Sequence, residues 1–408
     1  MYKEELLVYD QITQDPVIDQ ILEDINYLNN DVIQHRFMAS LLRVAEAYDL
    51  HDHLIQSLLT YLLAMHENAF SLSLERNVDV PAQLKTLVMH DLSYFFDLYK
   101  NDLNDLTFDN KAIVSDYMHS RPIINKEIFD LLSELQNSLA SATTVDEFYS
   151  ILLQHYGRYG VGRYGLNKAF RLDDENKIVP ITHIDDNTLE QLIGYESHKQ
   201  QLTANTEAFL KGKKANNVLL YGDNGTGKSS SIKALLNRYY KDGLRMIEIY
   251  KHQFQQLPYV INELQNRNYK FIIFMDDLSF EEYETEYKYL KAVIEGGLEK
   301  KPDNILIYAT SNRRHLIKET WNERNTDEIN KNDTIQEKTS LVSRFGLQIL
   351  YMRPNRKDFL SIVDGLAKQY NIDMDQETLH ARALEWEIRN GGFTGRVAKQ
   401  FINKILGE

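Results

Sequence analysis

Residues 218–240 read VLLYGDNGTGKSSSIKALLNRYY, and this stretch decides the fold of the surrounding chain. From Gly222 to Ser229 it fills every fixed position of the pattern G-x-x-x-x-G-K-S/T. Val218–Tyr221 before it are typical of a short buried strand, and Ser230–Tyr240 after it are typical of a helix. A strand, a glycine turn and a helix start in this order bring backbone N–H groups together on phosphate oxygens. The stretch predicts a phosphate-binding loop rather than an ordinary glycine turn.

Two side chains of this loop have defined chemical roles. Lys228 is expected to reach the β- and γ-phosphates of a nucleotide, and the Ser229 hydroxyl to ligate Mg²⁺. The predicted phosphate-binding residues are the full run and the serine that follows it: Gly222, Asp223, Asn224, Gly225, Thr226, Gly227, Lys228, Ser229 and Ser230.

The charge of the chain is unevenly distributed. The 408 residues carry a net charge of −14; residues 1–150 contain nine Lys and Arg against 25 Asp and Glu, which is −16, and the remainder is +2. An acidic first part argues against that part binding a nucleic-acid backbone, because phosphate affinity comes mostly from clustered cations. The absence of cysteine excludes disulfides and thiolate chemistry. With no signal-peptide pattern and no apolar run long enough for a bilayer, we expect a cytoplasmic protein without a membrane partner.

The pattern along the chain predicts four segments. These are an acidic all-α N-terminal domain over residues 1–155, a glycine-containing linker over 156–187, an α/β nucleotide-binding domain over 188–353 and a helical segment over 354–408. The alternation of strands and helices in the third segment predicts a parallel sheet. Its expected strands are Val218–Tyr221, Leu244–Tyr250, Phe271–Met275, Ile305–Ala309 and Leu347–Tyr351.

Two further stretches stand out by their composition. Tyr156–Gly165, with the sequence YGRYGVGRYG, interleaves Arg and Tyr with Gly, as do segments that bind single-stranded nucleic acid. A flexible turn between domains is the favoured interpretation, because the tract is short and isolated from other basic runs. The polar stretch Thr320–Lys338 has a composition typical of a mobile loop.

Polar side chains follow two of the predicted strands. FIIFM ends in Asp276 and Asp277, and ILIYA is followed by a polar run that includes Asn312. Asp276 is expected to hold Mg²⁺ together with Ser229, and Asp277 to orient or deprotonate the attacking water. Asn312 is a candidate to contact the γ-phosphate or that water. The alternative for the two aspartates is that they cap the next helix.

The order GDNGTGKS, FIIFMDD, ATSN, SRFG and GR resembles that of AAA+ ATPases, over roughly residues 188–408. The fuller segments LIGYESHKQQL, MDDLSFEE, LVSRFGL and GRVAKQF resemble a bacterial group of AAA+ ATP-binding proteins of unassigned function. That group is distantly similar to helicase-loader and replication-initiator ATPases.

The resemblance implies a three-layer α/β P-loop core with a parallel sheet of order 5-1-4-3-2 and a C-terminal helical lid. It implies ATP and Mg²⁺ as cofactors, with Leu192–Tyr195, including Ile193 and Gly194, beside the adenine. Asn312 would be the first sensor, Arg396 the second sensor and Arg344 an arginine finger. Such a finger usually completes the ATP site of a neighbouring subunit, which implies an ATP-dependent homo-oligomer.

Several functions remain open at this point. The leading expectation is an ATPase that couples hydrolysis to remodelling or loading of an unidentified macromolecular partner. The alternative is a slow or non-hydrolysing ATP-bound switch that acts on a protein partner through the helical N-terminal domain. It rests on Asp277, which stands where the common AAA+ pattern has Glu. A nucleic-acid loader is a third possibility, disfavoured by the overall acidity.

Overall fold

The computed structural model of the protein describes residues 5–100, 107–108, 111–112, 114–115, 117, 125–281, 284–295, 302–313, 316 and 341–408. The polar stretch Thr320–Lys338 lies outside the described residues. The chain forms two compact units, Met1–Asn167 and Lys168–Glu408, which we call unit 1 and unit 2. No helix among the described residues has both the length and the apolar character needed to span a bilayer.

The described residues of unit 1 are helical apart from an antiparallel pair of short strands, Thr107–Phe108 (β1) and Lys111–Ala112 (β2). Side-chain caps start several helices; Asn30, for example, accepts from the backbone N–H groups of Val32 and Ile33. The described helices are α1 (Pro16–Asp24), α2 (Asp31–Tyr48), α3 (Leu54–Met65), α4 (Ala69–Glu75), α5 (Ala82–Lys100), α6 (Lys126–Ser141), α7 (Val145–Tyr159) and α8 (Gly162–Leu166).

A buried carboxylate fixes the start of unit 1. Asp91 of α5 is 0% exposed and accepts hydrogen bonds from the backbone N–H groups of Leu7, Val8 and Tyr9 at 2.7–3.1 Å. The hydroxyl of Tyr9 lies 3.3 Å from that of Tyr156, which in turn donates to a backbone carbonyl of α3 at 2.7 Å. The N-terminal segment is therefore tied into the core by polar contacts whose partners are mainly backbone atoms.

The structure corrects the interpretation of the Tyr156–Gly165 tract. The tract is not a flexible turn: α7 ends in it at Tyr159, and α8 begins in it at Gly162. Gly160 and Gly162 adopt φ values of 80° and 70°, which only glycine reaches without strain. Tyr156 and Tyr164 are buried, so these two rings are not free to stack on nucleotide bases. The glycines thus serve a tight turn between two packed helices.

The linker expected over residues 156–187 is also corrected. The boundary between the units falls after Asn167, and Ala169–Leu172 (β3) and Ile178–Pro180 (β4) then form an antiparallel hairpin within the sheet of unit 2. In β3, Arg171 is exposed and the last residue, Leu172, is buried. These strands are short, so the sequence pattern did not separate them from a connector.

Among the described residues, the central sheet of unit 2 has seven strands, of which five were expected. Its order is β4-β3-β6-β7-β8-β5-β9, and every pair from β3 to β9 is parallel. The five expected strands thus lie in the order fifth, first, fourth, third, second, with the β3–β4 hairpin added beside the second. They are β5 (Val218–Gly222), β6 (Leu244–Glu248), β7 (Lys270–Met275), β8 (Ile305–Ser311) and β9 (Leu347–Tyr351).

The central strands are buried on both faces. All seven residues of β8 are buried, as expected for a parallel strand covered on both sides. One face packs in a common core with α9 and α10, through residues such as Leu202 and Leu235. The helices that accompany the sheet are α9 (Glu196–Leu210), α10 (Lys228–Tyr239), α11 (Leu257–Leu264) and α12 (Glu286–Glu295).

Three helices follow the last strand: α13 (Arg356–Gln369), α14 (Gln376–Asn390) and α15 (Gly395–Leu406). They share a hydrophobic cluster of their own, centred on residues such as Phe359, Val363 and Phe401. Ile193, from the segment before α9, packs against this cluster. A methyl group at Gly365 would lie 2.7 Å from a side-chain atom of Ile193, so glycine at 365 permits this close approach.

Candidate functional site

The phosphate-binding loop lies between the end of β5 and the start of α10, at the carboxyl edge of the sheet. Its glycines at 222, 225 and 227 have φ values of 129°, 73° and 90°, which side chains with a Cβ rarely adopt. A Cβ at Gly222 would lie 2.1 Å from the carbonyl oxygen of Tyr351 on β9. The glycines at these positions therefore follow from backbone geometry, as the loop pattern requires.

The ammonium group of Lys228 is held inside the loop. Its Nζ donates to the carbonyl oxygens of Gly222 (2.9 Å) and Asp223 (2.7 Å) and to Oδ1 of Asn312 (3.0 Å). Burial lowers the pKa of Lys228, while the carboxylates of Asp223 and of the two aspartates after β7 oppose that shift. The cation is thus placed where phosphate oxygens would take over its hydrogen bonds.

Hard oxygen ligands suited to Mg²⁺ meet beside this lysine. Oδ1 of Asp276 accepts from the hydroxyls of Ser229 (2.5 Å) and Thr310 (2.6 Å). In the described residues, no cluster of three or more His, Cys, Asp or Glu could hold a metal ion. A Mg²⁺ ion here would fit a site with one or two protein ligands and nucleotide phosphate oxygens for the rest.

Asp277 is held by the strand next to it. Its backbone has a φ of 50°, its N–H donates to Oγ1 of Thr310 at 2.9 Å, and its Oδ1 accepts from Nδ2 of Asn312 at 2.6 Å. The next described α-helix begins only at Glu286, so the two aspartates do not cap its first turn. Asn312 therefore bridges Lys228 and Asp277 with the two ends of its amide.

A cavity of about 650 Å³ joins these groups to an apolar region. The phosphate loop, Asp276, Asp277 and Asn312 line one part of it. Leu192, Ile193 and Gly194 line another part, opposite Ile362 and Leu366 of α13. The cavity combines a polar end for phosphates with an apolar region of the kind that holds a nucleotide base.

Of the two arginines singled out in the sequence, Arg396 lines this cavity. It lies in the first turn of α15, whose N-cap is Thr394, and its backbone N–H donates to the carbonyl of Gly225 at 3.2 Å. A Cβ at Gly225 would come within 3.3 Å of the Cβ of Arg396. The start of α15 thus contacts the phosphate loop directly.

Arg344 is not among the residues that line the cavity of its own chain. Its guanidinium forms an ion pair with Glu295, the last residue of α12, and both side chains are about one-third exposed. Its Nε is buried and has no hydrogen-bond partner in the described structure. Within one chain, therefore, the structure does not bring Arg344 together with the phosphate loop.

Among the polar residues of the cavity that sequence reasoning missed are Thr310 and Lys199. Thr310 was overlooked because a threonine inside an apolar strand carries no motif, although its hydroxyl contacts Asp276 and the backbone of Asp277. Lys199, in the first turn of α9, borders the cavity, but its side chain is almost fully buried. Lys199 could have been recognised in the sequence as a single lysine among residues that pack inward.

Several solved structures are similar to part of this chain. Structures of RuvB mutants from Thermotoga maritima match with probability 1.00, at 16% identity and a TM-score of 0.38, over 54% of this chain and 64% or 65% of theirs. A third RuvB structure from that organism matches at 14% identity with a TM-score of 0.33, over 53% of this chain and 71% of that one. The chain spans just under two thirds of the first two structures. No curated protein matches it.

The family comparison covers more than half of the chain. Residues 166–408, which include the whole phosphate site and the C-terminal helices, match the family described as "Protein of unknown function (DUF815)". The match begins within two residues of the boundary between the units. The chain belongs to this family.

Proposed function

We propose that the protein binds ATP with Mg²⁺ in the cavity of unit 2 and hydrolyses it, as an AAA+ ATPase. One observation carries this proposal: Lys228, Asn312 and Asp277 are joined by hydrogen bonds at the polar end of the cavity. Asp276 and Ser229 lie at the same end. A phosphate-binding loop alone indicates only binding, whereas these additional groups are those that phosphoryl transfer requires.

Each residue has a role in this reaction. The loop N–H groups and Lys228 would bind the phosphates, and Ser229 with Asp276 would hold Mg²⁺, which when bound neutralises charge on the phosphate oxygens. Asp277 would orient the attacking water and accept its proton, with Asn312 positioning the carboxylate. Arg396 would contact the phosphates from α15, and the C-terminal helices would act as a lid over the nucleotide.

The location of Arg344 supports an oligomeric site. Because it lies outside the cavity of its own chain, its proposed role as an arginine finger requires a second copy of the protein. We therefore include an ATP-dependent homo-oligomer in the proposal. The acidic helical unit 1 is the proposed recognition element for an unidentified protein partner that the ATPase remodels or loads.

A second candidate is an ATP-bound switch that hydrolyses slowly or not at all. Two observations favour it: the short Asp277 side chain is already bonded to Asn312, and Arg344 is bonded to Glu295. Under this alternative the protein would bind ATP and change its partner affinity without rapid turnover.

Nucleotide binding and multiple-turnover hydrolysis, measured with ATP and Mg²⁺ across a range of protein concentrations, test both candidates. For the parent we expect micromolar or tighter binding and turnover that rises with concentration as oligomers form. Lys228→Ala should lose both activities, because the loop then lacks its only ammonium. The exposed Lys213→Ala is the matched control and should retain both.

The outcomes separate the candidates clearly. Binding without sustained turnover at any concentration would support the switch and reject the ATPase. No binding to the parent protein, or equal binding by Lys228→Ala, would reject a nucleotide site of either kind.

A further inference from the structure

Lys199 is a buried cation that the proposed reaction does not use. It lies on α9, its side chain is 10% exposed, and it borders the cavity. Its Nζ donates to the carbonyl oxygens of Leu192 (2.7 Å) and Leu189 (3.3 Å) and to Oε1 of Glu196 (2.7 Å). A buried lysine with such partners has a specific structural task, because burying an ammonium without partners is costly.

All three protons of the ammonium are used by these contacts. A lysine has three donors and no acceptor, and Lys199 has three acceptors in place. It therefore has no donor left for a ligand. Lys199 can influence a bound molecule only through the segment whose carbonyl groups it holds.

That segment, residues 189–194, contributes Leu192, Ile193 and Gly194 to the cavity lining, which we call the apolar wall, together with the polar Gln191. Leu189 is buried in the core of unit 2, while Leu192, Ile193 and Gly194 border the cavity opposite α13. Gly194 has a φ of 86°, so the chain turns sharply just after the carbonyl that Lys199 binds. The two carbonyl contacts, three residues apart, fix both ends of one turn of this wall.

We propose that Lys199 is a positioning residue for nucleotide-base binding: it fixes residues 189–194 so that their apolar side chains form one wall of the base site. This inference rests on the proposed nucleotide-binding function. Under this inference, part of the affinity of the cavity for the base depends on Lys199, which does not touch the base. Phosphate binding at the polar end of the cavity does not depend on Lys199.

The test compares a ligand that has a base with one that has none. ATP and inorganic tripolyphosphate share the phosphate loop, but only ATP uses the apolar wall. With Lys199→Met we expect the Kd for ATP to rise about tenfold or more, while the Kd for tripolyphosphate changes less than about twofold; tenfold corresponds to about 1.4 kcal/mol. At saturating ATP, kcat should stay near that of the parent.

Three further variants keep the test decisive. Lys199→Arg retains a cation with several donors and should restore most of the ATP affinity. Glu196→Gln removes the negative charge of the exposed partner but keeps an oxygen acceptor, so it should have a smaller effect, which can be measured even if Lys199→Met fails to fold. Lys211→Met, at the exposed end of the same helix, is the matched control and should match the parent.

Each outcome decides the inference. Equal weakening of ATP and tripolyphosphate would show a general effect on folding, and unchanged ATP affinity in Lys199→Met would show no effect; either result overturns the positioning role. If the parent binds tripolyphosphate and ATP equally tightly, the wall contributes no base affinity and the inference fails on its own. If the parent binds neither ligand, the proposed function itself fails.

Discussion

Two aspartates, one in each unit, are held in opposite ways. Asp91 in unit 1 is fully buried and accepts from the backbone N–H groups of three successive residues. Asp276 in unit 2 is exposed at the end of β7 and accepts from two side-chain hydroxyls, those of Ser229 and Thr310. The three backbone partners of Asp91 can leave only if the N-terminal segment unfolds, whereas hydroxyl groups can rotate towards a ligand.

This difference in hydrogen-bond partners distinguishes polar groups that stabilise a fold from polar groups that can bind a ligand. A carboxylate that is saturated by backbone donors contributes to folding and has no free capacity. A carboxylate held by rotatable side chains at a cavity can exchange those partners for an ion. Substitutions at Asp276 should therefore remove activity without changing stability, and substitutions at Asp91 should do the reverse.

The largest effect is expected for Arg344→Ala, which should leave ATP binding intact and lower turnover by about 10³–10⁵-fold. The surface variant Arg389→Ala, which removes an exposed i,i+4 ion pair, should behave like the parent. Steady-state hydrolysis and nucleotide binding measure the two properties separately.

A mixture of two inactive variants tests the role of Arg344 more directly. Arg344→Ala supplies an intact loop and Lys228→Ala supplies an intact arginine, so a mixture of the two inactive variants should recover part of the turnover. Full activity of Arg344→Ala alone would contradict the finger role, and a mixture that stays inactive would contradict its action between subunits.

A smaller loss is expected for Asp277→Asn, because an amide cannot accept the proton of the attacking water. Turnover should fall by about 10²–10⁴-fold, the usual contribution of a general base. ATP affinity and the thermal unfolding midpoint should remain close to those of the parent. Since Asp373 is exposed in the connection between α13 and α14, Asp373→Asn serves as the matched control. Retained turnover in Asp277→Asn would remove this residue from the reaction.

The smallest effect on activity and the clearest effect on stability are expected for Asp91→Ala. Three backbone N–H groups would lose their acceptor, and the free energy of unfolding of unit 1 should fall by about 3 kcal/mol. Hydrogen exchange should show faster exchange at Leu7, Val8 and Tyr9, with the exposed Asp97→Ala as control. Unchanged exchange at these amides would contradict the structural role of Asp91.

The parts of the site that sequence could predict are those in which neighbours in space are also neighbours in the chain. The loop from Gly222 to Ser229 is continuous, so its chemistry can be inferred from the pattern. By contrast, the contact of Thr310 with Asp276 depends on the register of β7 and β8, in which Met275 pairs with Ala309. A single sequence does not contain that register.

The α13 side of the cavity and the β3–β4 hairpin were missed for related reasons. Ile362 and Leu366 reach the cavity only because α13 packs against the segment around Ile193, which is a tertiary contact between distant residues. The strands β3 and β4 have four and three residues and gain their stability from pairing with β6 and with each other. Such short elements lack a period that distinguishes them from loops.

The hydrogen bond from the N–H of Arg396 to the carbonyl of Gly225 has a kinetic consequence. Because the C-terminal helices rest on the phosphate loop through this bond, they cannot swing away from the nucleotide without breaking it. In the proposed nucleotide complex, the dissociation rate of the nucleotide and the opening rate of these helices would share one elementary step. A slow off-rate for ADP would then arise from backbone geometry at Gly225, where a Cβ would be strained and tightly packed, as much as from contacts with the nucleotide itself.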